Sequence, residues 1–205
     1  MFNIKNFRCI IGWLGMLLPI IVFALYFIDN GIYPDSISAT YFNARCITPF
    51  MGILITASLF LFAYDGYNKI DDIINSIAAL CGLGICLFPC AATSEPYIGT
   101  FQLPTLTSNT IHMITALGFF GILAYNSLFL FTRGADIPTP NKKKRNIIFR
   151  ICGIGMIASF VFMVPVIMLN IYGGIWAIET VALFFFGISW LTKANCYRWL
   201  FADPK

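Results

Sequence analysis

Six stretches of the chain are apolar almost without interruption, and polar links separate them: residues 9–28, 48–64, 73–92, 110–131, 151–169 and 175–192. A helix needs about 20 residues to cross the hydrocarbon core of a bilayer, and each run is near that length. The pattern predicts an all-α polytopic membrane bundle of six transmembrane helices, one domain over 1–205. The links carry the turn chemistry. Residues 33–46, YPDSISATYFNARC, are too polar and turn-rich to be embedded, and Pro49 suits the first turn of the second helix, where a missing N–H costs little. DGYNKIDD, 65–72, is short enough to make the second and third helices antiparallel neighbours. Asp65 there is expected to make local turn bonds near Gly66. Asp71 and Asp72 suit a helix start, where they meet free N–H groups and the positive end of the dipole. Residues 93–109 form a loop with Pro96, Pro104 and no basic residue, and 132–150 form a second loop containing PTPNKKKRN. Pro165 is expected to kink the fifth helix.

The third run carries Ala78, Gly82, Cys86 and Cys90 at every fourth position. Such a ridge of small side chains lets helices approach closely in lipid, where packing rather than water exclusion drives association.

Composition and charge add an orientation. Of the 205 residues, 59% are hydrophobic and 11% charged, with mean hydropathy +0.82; soluble domains carry about 25% charged residues. The first run is longer than a signal-peptide core of about 7–15 residues and lacks an A-x-A-like site after it, so it reads as a helix. With the N-terminus inside, twelve of the thirteen basic residues fall on the cytoplasmic side, and Arg45 alone falls outside. Both termini are then cytoplasmic. Lys142, Lys143, Lys144 and Arg145 read as a topology signal that contacts anionic headgroups. The run is too short, and too poor in interleaved aromatics, for nucleic acid. The tail KANCYRWLFADPK is expected to lie along the headgroups.

The seven cysteines form no C-x-x-C pair, which argues against a zinc ribbon or dithiol site, and they read as small hydrophobes. Cys46 and Cys90 alone fall near the outer surface, so a disulfide on that side would join those two. No metal site and no cofactor is expected.

Orientation also gathers the candidate chemistry. Arg45, His112 and Glu179 fall near the outer ends of the second, fourth and sixth helices, the latter two about one turn inside. Ionisable groups at that depth are costly unless paired or facing a wet cavity, so the expected arrangement pairs Arg45 with Glu179, with His112 nearby. His112, Thr115, Phe119 and Asn126 share one face of the fourth helix, a stripe expected to face the bundle interior. Trp176 reads as an interfacial anchor. Two readings stay open: a pocket in which Arg45 holds an anionic headgroup while His112 or Glu179 handles protons, and a buried ion pair with a capping histidine that locks three helices together.

One histidine is too few for a seven-helix zinc hydrolase, and H-E-x-x-H, G-x-S-x-G and phosphate-cradling loops are missing. Ser36 or Ser38 with His112 and Glu179 can be drawn as a hydrolytic triad, a drawing most serine-bearing chains permit. No clear internal repeat or paired helix breaks point to a transporter, and no strip of charge crosses the bilayer centre.

The six-helix layout, DSISATYFNARC before the second helix, His112 opening the fourth and WAIETVALFFFGISW in the sixth resemble the DRAM/Frag-type membrane proteins and related bacterial six-helix families. The resemblance implies a serine-bearing outer loop, a histidine and an acidic residue working together, here Ser36, Ser38, His112 and Glu179. Some eukaryotic members act in lipid-anchor remodelling or autophagy-related membrane processes. NARC before the second helix and the long KKKR loop depart from the pattern. The expected function is a lipid-binding or lipid-modifying pocket at the outer leaflet of a bacterial inner membrane, with catalysis undecided. The alternatives are a membrane scaffold or sensor acting through the basic loop, and a small-solute transporter. Membrane lipids, and a second copy or another membrane protein, are the expected partners.

Overall fold

The computed structural model describes residues 4–64, 66, 68–134 and 139–196. Its helices are α1 (Ile4–Asn30), α2 (Ile47–Phe62), α3 (Lys69–Leu87), α4 (Thr105–Tyr125), α5 (Pro140–Met168) and α6 (Gly174–Lys193). A five-residue π-turn, Asn126–Leu130, prolongs α4, and a 3₁₀ turn, Ser38–Phe42, interrupts the link before α2. Five helical segments are long and apolar enough to cross a membrane; α2, at 16 residues, is the short one. The turn expected of Asp65 and the tail beyond Cys196 lie outside the described residues.

Each helix packs against the next in sequence, and α6 returns to pack on α1, so the six close into a ring. Large apolar side chains cover its outside, among them Leu106, Ile114, Met168 and Leu169. Inside the ring the two ends differ. Towards the basic end, Phe119, Phe186, Trp190, Phe131 and Phe149 form a chain of rings with successive centroids 6.4, 6.1, 5.3 and 5.5 Å apart. Buried Asn126 donates to Asn75 at 2.8 Å, and Ser127 and Ser189 share a bond of 2.6 Å, so two polar pairs at this level are tied across helices. Asp71, 1% exposed, holds Arg133 at 3.0 and 3.2 Å. The other end of the ring is hollow.

The helix ends follow local chemistry rather than the limits of the apolar runs. Asn68 caps α3 by accepting from the Asp71 N–H at 3.0 Å, so α3 begins at Lys69, four residues before the apolar run. It ends at Leu87 rather than at 92, because Pro89 holds Phe88 out of the helical region. The expected loop over 132–150 is the largest correction: α5 begins at Pro140, and the KKKR run lies in its first two turns. Thr139 accepts from the Lys142 N–H at 3.3 Å and Pro140 takes the first helical position, so the start signal lies in Thr-Pro and hydropathy does not register it. α5 runs on through Pro165 to Met168. The loop expected over 93–109 is shorter, because α4 starts at Thr105 after a two-residue hairpin of β1 (Tyr97–Ile98) and β2 (Leu103–Pro104). Gly173, at φ +69°, makes the turn into α6 that a side chain would strain.

Three of the four ridge residues, Ala78, Gly82 and Cys86, are buried on α3, while Cys90 lies beyond the helix end at Leu87 and is half-buried. A Cβ on Gly82 would lie 2.2 Å from Ser58 Oγ and 3.0 Å from a Phe119 ring carbon; one on Gly84 would lie 2.6 Å from Thr115 Cγ2. α2, α3 and α4 therefore meet with no room for a methyl group. The cysteines divide differently from expectation. Cys9 and Cys196 form a disulfide between the start of α1 and the residues after α6, while Cys46 and Cys90 are both free. The 187-residue separation hides a proximity that only ring closure creates.

Gly82→Ala is expected to destabilise the bundle by about 1–3 kcal/mol through overpacking. Gly52→Ala, with nothing within 4 Å of the new methyl, should be neutral or stabilising by up to about 1 kcal/mol. Unfolding in mixed micelles with increasing denaturing detergent compares them; equal stabilities would remove the close-packed seam.

Candidate functional site

The hollow end of the ring holds a partly open cavity of about 320 Å³. Its walls are mainly apolar and come from all six helices, with Leu18, Phe50, Ile85, Phe119, Phe160 and Leu183 among them. Polar groups gather at the rim: Asp35, Ser36, Ser38, Cys90, His112 and Glu179. Such a mainly apolar space with a few convergent polar groups is the usual form of a small-molecule site.

His112 is the anchor of that rim. It lies in the second turn of α4 and is 4% exposed. Its Nδ1 is 2.9 Å from the Phe88 carbonyl and its Nε2 is 3.1 Å from Ser38 Oγ. A carbonyl only accepts, so Nδ1 carries a proton. In the neutral ring Nε2 is then an acceptor aimed at the Ser38 hydroxyl. The carbonyl is available because Pro89 ends α3 just there, leaving terminal C=O groups without helical partners. The remainder of the stripe faces inward as expected: Phe119 and Asn126 are buried, and Thr115 packs on Gly84.

Glu179 holds the opposing loop. Its Oε2 accepts from the Ile37 N–H at 2.5 Å, with the Ser38 amide beside it. Trp176, one turn earlier on α6, donates its backbone N–H to the Asp35 carbonyl at 3.1 Å. Ser36 Oγ accepts from the Ala39 N–H at 2.9 Å, and Thr40 donates to the Ile37 carbonyl at 2.6 Å. These bonds shape residues 35–40 into a rigid bracket that presents Ser38 to His112. The Trp176 ring packs 5.0 Å from Phe23 and 6.1 Å from Tyr33, so in the bundle it cements α6 to α1.

Arg45 stands apart. Instead of pairing with Glu179, it forms an exposed ion pair of 2.9 Å with Asp29 at the end of α1. Asn43 causes this: its side chain accepts from the Arg45 and Cys46 N–H groups at 3.0 and 3.2 Å, and donates to Asp29 at 3.1 Å. The turn aims Arg45 away from the cavity, and backbone amides take the carboxylate that it was expected to hold. Ser36, Ser38, His112 and Glu179 thus come together, and Arg45 does not join them. At the other end, Lys142 donates to the Phe131 carbonyl at 2.8 Å and Arg145 to Asn195 at 3.1 Å, while Lys143 and Lys144 are exposed.

Two site features escape sequence reasoning. The Phe88 carbonyl is main chain and carries no residue signature, although the Phe-Pro that frees it is readable. Phe120 and Phe160, with ring centroids 5.2 Å apart, line both the cavity and an open apolar groove between α4 and α5, and so divide the two. Among the described residues no cluster of three metal-ligating side chains occurs. Burial, with the Glu179 charge nearby, pushes the Cys90 thiol up to about 12. No family model matches this chain, and no curated protein or solved structure matches it.

The single histidine is expected to be protonated on Nδ1, which long-range ¹⁵N–¹H NMR of labelled protein reads directly; protonation on Nε2 alone would contradict the Phe88 contact. A thiol raised to about 12 stays protonated at neutral pH. Alkylation mapped to Cys90 should therefore rise about tenfold per pH unit from 7 to 10, where an ordinary thiol levels off above about 8.5. A plateau near 8.5 would show that the thiol is not shielded.

Proposed function

We propose that this is a multi-pass membrane protein that takes a lipid into the cavity, with the polar part of the lipid at the Ser38–His112–Glu179 rim. One observation carries the reading: the cavity is apolar inside, polar at one rim, and separated only by Phe120 and Phe160 from an apolar groove on the outer face. A solute arriving from water would need no such groove, whereas a lipid would enter sideways from the bilayer. At about 320 Å³ the cavity suits part of one acyl chain and not a whole two-chain lipid. The groove offers space for the remainder.

The basic-residue distribution supports an orientation with both termini cytoplasmic and the cavity at the outer leaflet of the cell membrane, for a bacterial chain the inner membrane. In that orientation α2 crosses as a short sixth span, and Lys143 and Lys144 meet anionic headgroups. Cys9 and Cys196 then lie at the cytoplasmic end, where α1–α6 packing closes the ring beside them.

Native mass spectrometry of protein released from mild detergent tests the lipid. Wild type and Arg45→Ala are expected to retain a co-purified lipid, since Arg45 lies outside the cavity. Ala116→Trp, which fills the space, should lose it while keeping the wild-type fold. No retained lipid in the wild type, or equal retention in all three, would end the proposal.

A further inference from the structure

We infer that Ser38 is a nucleophile, with His112 as its general base, for transfer of the acyl group of a lipid ester; this rests on the lipid reading above and adds chemistry to it. The arrangement has the parts of an activated serine. The base is within reach of the hydroxyl at 3.1 Å, and a third group, the Phe88 carbonyl at 2.9 Å, fixes the tautomer that leaves Nε2 free to accept. Glu179 is outside this relay, because its carboxylate is engaged by the loop amides. It acts as a positioning residue for the bracket that carries Ser38.

Location separates this pair from the structural hydroxyls of the bundle. Ser127 and Ser189 bond each other with no exposure at all, and Ser58 bonds the Leu54 carbonyl within its own helix. Ser38 and His112, by contrast, both line a cavity. Ser159 also lines it, but its hydroxyl donates to the Gly155 carbonyl of its own helix, whereas Ser38 meets a histidine nitrogen. Ser36 lines the same cavity; its oxygen accepts from Ala39, and among the described residues its own proton has no hydrogen-bond acceptor.

The step balances without redox chemistry. Ser38 Oγ attacks the ester carbonyl carbon as its proton passes to His112 Nε2. The carbonyl oxygen takes the negative charge, and the Ser36 hydroxyl donates to it. Collapse breaks the bond between the carbonyl carbon and the lipid alcohol oxygen, which leaves with the proton from Nε2. The acyl group stays on Ser38 until a hydroxyl co-substrate, water in the simplest case, gives its proton to Nε2 and attacks. The acyl group leaves on that oxygen, and Ser38 takes the proton back.

A long-chain alkyl fluorophosphonate tests this on the purified full chain in mild detergent, read by intact mass and peptide mapping. One adduct per chain, on Ser38, is expected. It should be absent in Ser38→Ala and form at least about 100-fold more slowly in His112→Gln, with melting as in the wild type. An adduct on another residue, or none on a wild-type protein that retains lipid, overturns the nucleophile and leaves lipid binding standing. A wild type with neither adduct nor lipid overturns both. Mapping the wild-type adduct decides the matter even where a variant fails to fold.

Discussion

Where α3 meets α4, the missing side chains at Gly82 and Gly84 let Phe119 and Thr115 press against the α3 backbone. That contact controls the register of the two helices, and with it the distance between the Phe88 carbonyl at the end of one and His112 near the start of the other. The helix break at Pro89 supplies the carbonyl, and the register delivers it to the ring. Few other contacts could do so. Between helices in lipid there is little hydrophobic driving force, so position comes from close packing and a few internal polar bonds.

The bundle is accordingly uneven along its length. Its basic end is filled by large aromatic rings and sealed by Asn–Asn, Ser–Ser and Asp–Arg contacts. That half has little freedom to move. The hollow half is held instead by a bracket of backbone bonds over residues 35–40, fastened to α6 by Glu179 and the Trp176 amide. A rigid frame beside an open volume is what preorganises a site. The phenyl pair Phe120 and Phe160 stands between that volume and the groove on α4 and α5.

The fate of Arg45 shows how much a local turn can decide. Charge alone favours the pairing of the one outer cation with the buried carboxylate. The Asn43 turn sends the guanidinium to Asp29 in water, and Glu179 finds its donors in main-chain amides, which cost no side-chain entropy to position. The carboxylate thereby becomes a fastener for the serine loop rather than half of an ion pair.

The order and approximate extent of six helices, the inward stripe of α4 and the small-residue ridge of α3 were legible in the sequence, because apolar length and helical spacing act within a single segment. Helix starts at Thr139-Pro140 and Asn68 were also written there, but as capping chemistry that hydropathy does not weigh. Ser36, Ser38, His112 and Glu179 could be named as candidates. Their distances, the displacement of Arg45 and the pairing of Cys9 with Cys196 could not be read. The distances and the cysteine pairing depend on closure of the ring, which brings together groups as far as 187 residues apart, and the Arg45 displacement on hydrogen bonds of the Asn43 turn. The Phe88 carbonyl is the extreme case: a backbone group has the same composition in every residue, so only the packing of α3 on α4 could give it a role.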